Sequence, residues 1–302
     1  MTTPAIGVVV GTYRRPRLLA EALESVAAQT LPAARILVCD DASGDETEAV
    51  VRAFAAASPI PTLFCSQDHT GHPGRNRNQA LPHLDGLDLV AFLDDDDRWL
   101  PEKLARQVER LAGGDVDLLG SGIEAEDQEG RVVRTYRPRS GPISLRDLAR
   151  QNPLATSSVI MEAGLYRSLG GFSEHPHLIG WGDDYDLWLR AAAEGARVQN
   201  LPEALVVYRE GQGIAARLGA SHRWRAENML VIANNLPDRH DTRDARRILT
   251  GRRFAELAEG DLEEGLRGPA VRHAFRAVMI NPGRPSLATF VHALRGTPLN
   301  TG

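Results

Sequence analysis

Four consecutive carboxylates, Asp94-Asp95-Asp96-Asp97, follow the apolar run Leu89–Leu93. Crowding like charge in this way is costly unless a cation or water offsets it. Alternate residues of an extended segment share a side, so Asp94 and Asp96 can grip one divalent ion together. Hard oxygen donors suit Mg2+ or Mn2+, which keep coordination places for phosphate oxygens. The competing reading is a solvated loop that caps the next helix. The apolar strand before it and Trp99-Leu100-Pro101 after it favour a fixed, partly buried position. A calcium EF-hand is excluded, because its sixth position would be Trp99 instead of Gly and its twelfth Ala105 instead of Glu.

Three further groups carry candidate chemistry. Asp40-Asp41-Ala42-Ser43 either begins a helix, with Ser43 or Asp45 as N-cap, or offers a carboxylate to a base N–H in a nucleotide pocket. In Gly180-Trp181-Gly182-Asp183-Asp184-Tyr185-Asp186-Leu187-Trp188, the acids Asp183 and Asp184 stand where a helix starts and read equally well as caps. Trp181, between glycines, is either a platform for a sugar face or a buried anchor; Leu187 and Trp188 read as core. Arg75 and Arg77 follow the turn His69–Gly74 and serve either a diphosphate or the surface. His175 and His177 lack further partners and read as loop histidines.

The elements that must position these groups alternate strand and helix. The β-rich runs Ile6–Val10, Ile36–Cys39, Thr62–Cys65 and Leu89–Leu93 predict strands. Between them, Leu19, Leu23 and Val26 after Pro16, then Asp45–Ala57, then Gly74–Leu81 predict helices, with another from near Pro101. This alternation implies an α/β fold, a mostly parallel sheet flanked by helices. Ligands of such sheets sit beyond the carboxyl ends of the strands. Gly11-Thr12-Tyr13, Asp40-Asp41 and Asp94–Asp97 therefore converge on one crevice. Later, Val116–Glu124, Val132–Tyr136 and Ser157–Met161 predict strands and Asp183–Glu194 a helix closed by Gly195. From about Ala215 the chain reads as helical, broken at Pro237, Gly260 and Pro282.

Composition bounds the rest. The 302 residues, 42% hydrophobic and 25% charged, are ordinary for a globular protein that buries a sizeable core. No apolar run reaches the roughly 18 residues needed to span a bilayer, and the first residues do not read as a secretory signal. Cys39 and Cys65 read as buried thiols inside strands, without a disulfide framework or thiolate metal site. A cytoplasmic location follows. Residues 215–302 hold 14 Arg against 9 acidic residues, a balance of +5, which leaves −10 for residues 1–214 of a chain at −5. The expected organisation is a catalytic domain over 1–214 and a helical extension over 215–302. Two readings of the basic extension stand: helices packed over the acidic domain, or a dock for an anionic membrane face or lipid-linked acceptor. Nucleic acid is not expected, since no compact basic motif with interleaved aromatics occurs.

Over residues 4–210 the ordered set of motifs resembles family 2 glycosyltransferases. The set is Val8–Arg14 with Ala22–Thr30, Val38–Ser43, Arg75-Asn76-Arg77, Ala91–Pro101, Ser157-Ser158-Val159, Gly170-Gly171-Phe172 and Asp183–Trp188. The resemblance implies a GT-A fold and an inverting, hexosyltransferase-type enzyme of polysaccharide biosynthesis. Its donor would be a nucleotide sugar, a UDP-sugar foremost, and its acceptor a glycan, lipid-linked or small-molecule hydroxyl. It places Gly11, Thr12, Tyr13, Asp41, Arg75, Asp94 and Asp95 on the donor, with Asp41 at the base and Arg75 near the diphosphate. Asp94 and Asp96 match the DxD element that holds Mg2+ or Mn2+, Asp96 most directly. Asp184 matches the general base, and Trp181 and Asp183 fall on the acceptor side. Two positions depart from the pattern: Gly11 stands where Pro is common, and Gly211 where many members place a metal-binding His. His222 or water would then complete the metal set. The rival readings are a non-catalytic carbohydrate- or nucleotide-sugar-binding relative and a metal-dependent phosphohydrolase. A sugar-1-phosphate nucleotidyltransferase lacks support, because the Gly-rich basic signature near the first strand is missing.

Overall fold

A computed structural model describes residues 3–179, 182–210 and 221–297. The chain begins with β1 (Ile6–Thr12), α1 (Pro16–Ala27), β2 (Arg35–Asp40), α2 (Thr47–Ala57), β3 (Thr62–Ser66), α3 (Pro73–Asn78) and β4 (Leu89–Asp94). Branched and aliphatic side chains fill both faces of β1, β2 and β4, as strands covered on two sides require. Ile6, Val8 and Val10 face one core with Leu19, Leu23 and Leu104. Val9, Leu37 and Phe92 face the opposite core with Trp188 and Leu187. Cys39 is buried, whereas Cys65 is only half-buried because β3 is the outermost strand of the parallel run.

The second half comprises β5 (Arg98–Trp99), α4 (Lys103–Leu111), β6 (Leu118–Glu126), β7 (Val132–Tyr136), β8 (Gly141–Ile143), α5 (Leu145–Arg150), β9 (Ile160–Glu162), α6 (Ala163–Ser168), α7 (Asp183–Ala193) and β10 (Val198–Arg209). One mixed sheet results, in the order β3-β2-β1-β4-β9-β6-β10-β5, with β7 beside β6 and β8 beside β10. The run β3-β2-β1-β4 is parallel, while β9 is antiparallel to both β4 and β6. Register sets the height of the site: Thr12 pairs with Asp40 and Gly11 with Asp94, so three strand ends finish level.

Among the described residues four α-helices follow, α8 (His222–Asn235), α9 (Arg243–Glu263), α10 (Arg267–Ile280) and α11 (Arg284–Arg295). Met229, Ile232 and Ile248 join the core that holds Trp188, so α8 and α9 extend that core from outside α7 and α5. Three expectations change here. The helix predicted to break at Gly260 runs through it, because the missing side chain lets α8 approach: a Cβ there would meet His222 Cβ at 3.3 Å and Arg223 Cγ at 3.4 Å. The turn comes instead at Gly265, whose φ of +74° suits glycine. The strand predicted over Ser157–Met161 starts as a short 3-10 turn at Thr156–Ser158, since both serine hydroxyls bond locally or to Asp97. The 12-residue β10 was not expected from the sequence; its polar Gln199, Asn200 and Glu203 and the interior Pro202 mask the apolar pattern.

Candidate functional site

The level ends of β1, β2 and β4 deliver their acids to one edge of the sheet, and α3 and α7 close it from one side. Two turns there hold non-glycine residues in the left-handed region, Arg14 with φ +53° and Ala42 with φ +58°. Such positions cost about 1–3 kcal/mol each and persist only where neighbours fix them. They brace one another: the Arg14 amide donates to Ser43 Oγ at 2.8 Å and the Asp41 amide to the Thr12 carbonyl at 3.1 Å.

At the end of β4, carboxylate oxygens of Asp94, Asp96 and Asp97 lie within 4.8 Å of one another. Asp95 turns inward, where Thr12 Oγ1 donates to it at 2.8 Å and Arg15 Nη1 at 3.0 Å. Arg15 also reaches Asp96 at 2.7 Å. Ser157 ties the turn together: its Oγ accepts from the Asp94 amide at 3.0 Å and donates to Asp97 at 2.5 Å. Burial pushes the Asp95 carboxyl up to about 6, with Asp96 adding to the shift and Arg15 opposing it. Burial and the neighbouring Asp94 raise Asp96, and burial with Asp96 and Asp94 raises Asp97 well above the carboxylate range. Carboxylates concentrated in this way would be relieved by a positive charge. Three hard oxygen donors this close fit a divalent ion of the Mg2+ or Mn2+ kind.

Asp183 and Asp184 open α7. Arg77, itself buried, donates to Asp94 at 2.5 Å and to Asp183 at 3.1 Å, linking β4 to α7. Burial works against its charge, but Asp94 and Asp183 outweigh it and hold the guanidinium above its ordinary range. The approach of α3 depends on Gly74, where a Cβ would meet Asp183 Oδ2 at 3.0 Å and Phe172 Cβ at 2.9 Å. Asp184 accepts from Thr156 Oγ1 at 3.0 Å and from the Tyr185 amide at 2.6 Å. Burial, reinforced by Asp183, pushes its carboxyl up to about 7.

The nucleotide-side candidates are arranged differently. Asp41 accepts from the Thr70 and Gly71 amides, each at 2.8 Å, and so pins the 69–71 loop. The Tyr13 ring stacks on His69 with centroids 4.3 Å apart. Gly11 sits beneath the Arg77 side chain, whose Cγ would be 3.4 Å from an added Cβ. Arg75 is exposed, near Glu174 at 3.8 Å. Trp181 lies outside the described residues, as do Gly180 and Gly211. His222 pairs with Glu256 of α9 at 2.7 Å, and the carboxylate grouped with Asp94 and Asp96 is Asp97. Sequence reasoning assigned no site role to Asp97 or Ser157, though both lie in noted motifs, and none to Arg15 or Thr156. Asp97 was hidden by the alternation argument, which holds for straight strands and fails where the chain turns after Asp94.

An acidic, cation-receptive crevice at the carboxyl end of a mixed α/β sheet, faced by a separately held carboxyl, defines a class of metal-assisted group-transfer sites. A family model described as "Glycosyl transferase family 2" matches residues 7–168. The putative glycosyltransferase EpsE of Bacillus subtilis is 31% identical over 230 residues, 76% of this chain and 81% of that protein. The fold matches that of S. aureus TarS 1–349 in complex with UDP-GlcNAc, with a TM-score of 0.69, 19% identity, and coverage of 96% of this chain and 89% of that one. It also matches the mannosyltransferase PcManGT from Pyrobaculum calidifontis, in complex with GDP-Man and Mn2+, with a TM-score of 0.65, 19% identity, and coverage of 97% and 80%. The chain belongs to glycosyl transferase family 2. It is a glycosyltransferase with the GT-A fold.

Proposed function

We propose that this glycosyltransferase moves a hexose from a nucleotide-sugar donor, a UDP-sugar foremost, to a hydroxyl of a glycan, lipid-linked or small-molecule acceptor, with inversion at the anomeric carbon. The observation that carries the reading is Asp184, a half-buried carboxyl pushed up to about 7 and set beside Asp183, which Arg77 links to Asp94 of the aspartate cluster. A base poised near neutral pH is what proton abstraction from a hydroxyl requires. In one displacement the acceptor oxygen bonds to the anomeric carbon, the bond from that carbon to the diphosphate oxygen breaks, and the acceptor proton passes to Asp184. Thr156 and the Tyr185 amide hold the carboxylate while leaving lone pairs for that proton.

Asp94 and Asp96, with Asp97 beside them, would hold Mg2+ or Mn2+, which supplies charge neutralisation for the departing nucleoside diphosphate. Gly11, Thr12, Tyr13 and Asp41 would line the nucleotide and Arg75, exposed at the mouth, would approach the diphosphate. Asp95 would act on the donor side by fixing Thr12 and Arg15. Asp183 and Trp181 belong to the acceptor side of the proposal. A nucleotide-diphosphate donor gains support from the UDP-GlcNAc and GDP-Man bound to the fold neighbours. Residues 1–214 would carry the chemistry and 215–302 an accessory helical extension. No described helix is long and apolar enough to cross a membrane; a cytoplasmic setting, with peripheral contact at the inner membrane face, completes the reading.

Thermal stabilisation by a panel of nucleoside diphosphates and nucleotide sugars, with and without Mn2+, tests it. A shift that needs both nucleotide and Mn2+ and vanishes in Asp96→Ala supports the donor site and names the base. No shift with any nucleotide overturns it.

A further inference from the structure

Helices α10 and α11 are packed inside out. Their buried faces carry small side chains, Ala270, Ala274 and Ala277 on α10 and Ser286, Thr289 and Ala293 on α11, near Ala258 of α9. Their large apolar side chains point to solvent instead: Phe275 is 51% exposed, Met279 67%, Leu287 49%, Val291 41% and Leu294 46%. These positions recur at helical spacing, Phe275 with Met279 and Leu287 with Val291 and Leu294, so each helix shows one apolar stripe. The stripes adjoin through Phe275 and Phe290, whose ring centres are 6.1 Å apart. Contiguous exposed apolar surface on a soluble protein marks a contact site.

Charge identifies the partner. Residues 265–302 contain five arginines and no aspartate or glutamate, in a chain whose net charge is −5. Arg272 and Arg276 border the Phe275–Met279 stripe, and Arg284 and Arg295 border the other; all four are exposed. A second copy of this chain is disfavoured as occupant, because a two-fold contact would set arginine against arginine. Apolar side chains flanked by cations on short helices suit an interface of acyl chains beneath anionic headgroups.

We propose that the α10–α11 face docks the protein on an anionic phospholipid bilayer, with Phe275, Met279, Leu287, Val291 and Leu294 entering the interface and the flanking arginines pairing with phosphate. The docking does not depend on which sugar or nucleotide the crevice takes.

Co-flotation of the full chain with vesicles tests it. Vesicles of equal parts phosphatidylglycerol and phosphatidylcholine should carry the protein at low salt, vesicles of phosphatidylcholine alone should not, and added salt should release it. Replacing Arg272 and Arg276 by Gln should lower partitioning roughly fivefold per charge, and Phe275→Ser with Met279→Ser should abolish it. Stabilisation by nucleotide and Mn2+, read in the same samples, should be unchanged in these surface variants and so reports folding and the donor site independently. No flotation with anionic vesicles, flotation indifferent to these variants, or a dimer that Met279→Ser disperses would each overturn the proposal.

Discussion

Two acidic strand ends lie level at the same edge of the sheet, and they solve opposite problems. At β2, Asp40 accepts from the Ser43 amide at 3.0 Å, Ser43 Oγ at 2.5 Å and Ser66 Oγ at 3.2 Å. Asp41 accepts from the Thr70 and Gly71 amides. These acids are buried and met by amide and hydroxyl donors of the Ser43 turn, the β3 end and the 69–71 loop, with His69 beside Asp41, so they are fasteners as much as functional groups. At β4, three carboxylates crowd within 4.8 Å, and Asp96 and Asp94 rely on single arginines reaching in from β1's end and α3. Like charge left in mutual contact after folding is held for a ligand. A run of aspartates does not by itself separate these cases; the donors supplied by distant loops do.

The sharpest break between the two kinds of acid should come from Asp184→Asn, which belongs with the crowded set. Transfer should fall about 10²–10⁴-fold, the usual worth of a general base, while nucleotide- and Mn2+-dependent stabilisation persists. A parallel loss of stabilisation would show that Asp184 serves the donor instead of the acceptor proton. Asp96→Ala should do the reverse, removing the Mn2+-dependent shift while leaving the fold without metal no less stable, since a repelled charge is gone.

Fastener acids should fail in the opposite sense. Asp40→Ala strands the Ser43 amide and hydroxyl in a buried turn, at a cost of about 1–3 kcal/mol. Chemical denaturation should show that loss, against little change for Asp96→Ala. Equal losses at both positions would erase the distinction. A smaller effect is expected at Ser157→Ala, which frees the Asp94 amide and one Asp97 oxygen. Groups that orient ligating carboxylates are worth about 10–100-fold in metal affinity, so a Mn2+ titration followed by nucleotide binding should weaken by that range with the fold intact.

How much of this was legible follows from where the information sits. The parallel half was readable because strand and helix periods are local, and Ile6–Val10 or Leu89–Leu93 announce themselves. So was the convergence of the strand-end acids, which follows from topology. What the sequence hid depends on contacts across long separations. Ser157 meets Asp97 across 60 residues and Arg77 meets Asp183 across 106, and no spacing rule relates them. The β10 strand and the continuity of α9 through Gly260 were obscured because tertiary packing overrides local preference there.

The smallest effect, and the one that tests the crowding directly, is the pH dependence of stability without metal. Burial raises Asp184 to about 7 and Asp95 to about 6, and raises Asp96 as well, from ordinary values near 3.8. The folded state therefore binds protons that the unfolded chain has already released between about pH 4 and 7. These carboxyls make stability fall as pH rises through that window, while His72 and Lys103, held by burial below their ordinary ranges, contribute the opposite trend. The carboxyl contribution is therefore read as a difference in the slope of melting temperature against pH between the parent chain and a carboxyl variant, from about pH 5 to pH 8. Asp184→Asn should remove the part of that slope which this carboxyl contributes. An Asp184→Asn profile whose slope matches the parent's would mean that this carboxyl keeps no extra proton in the fold across the window, and the contrast between the two strand ends would be lost.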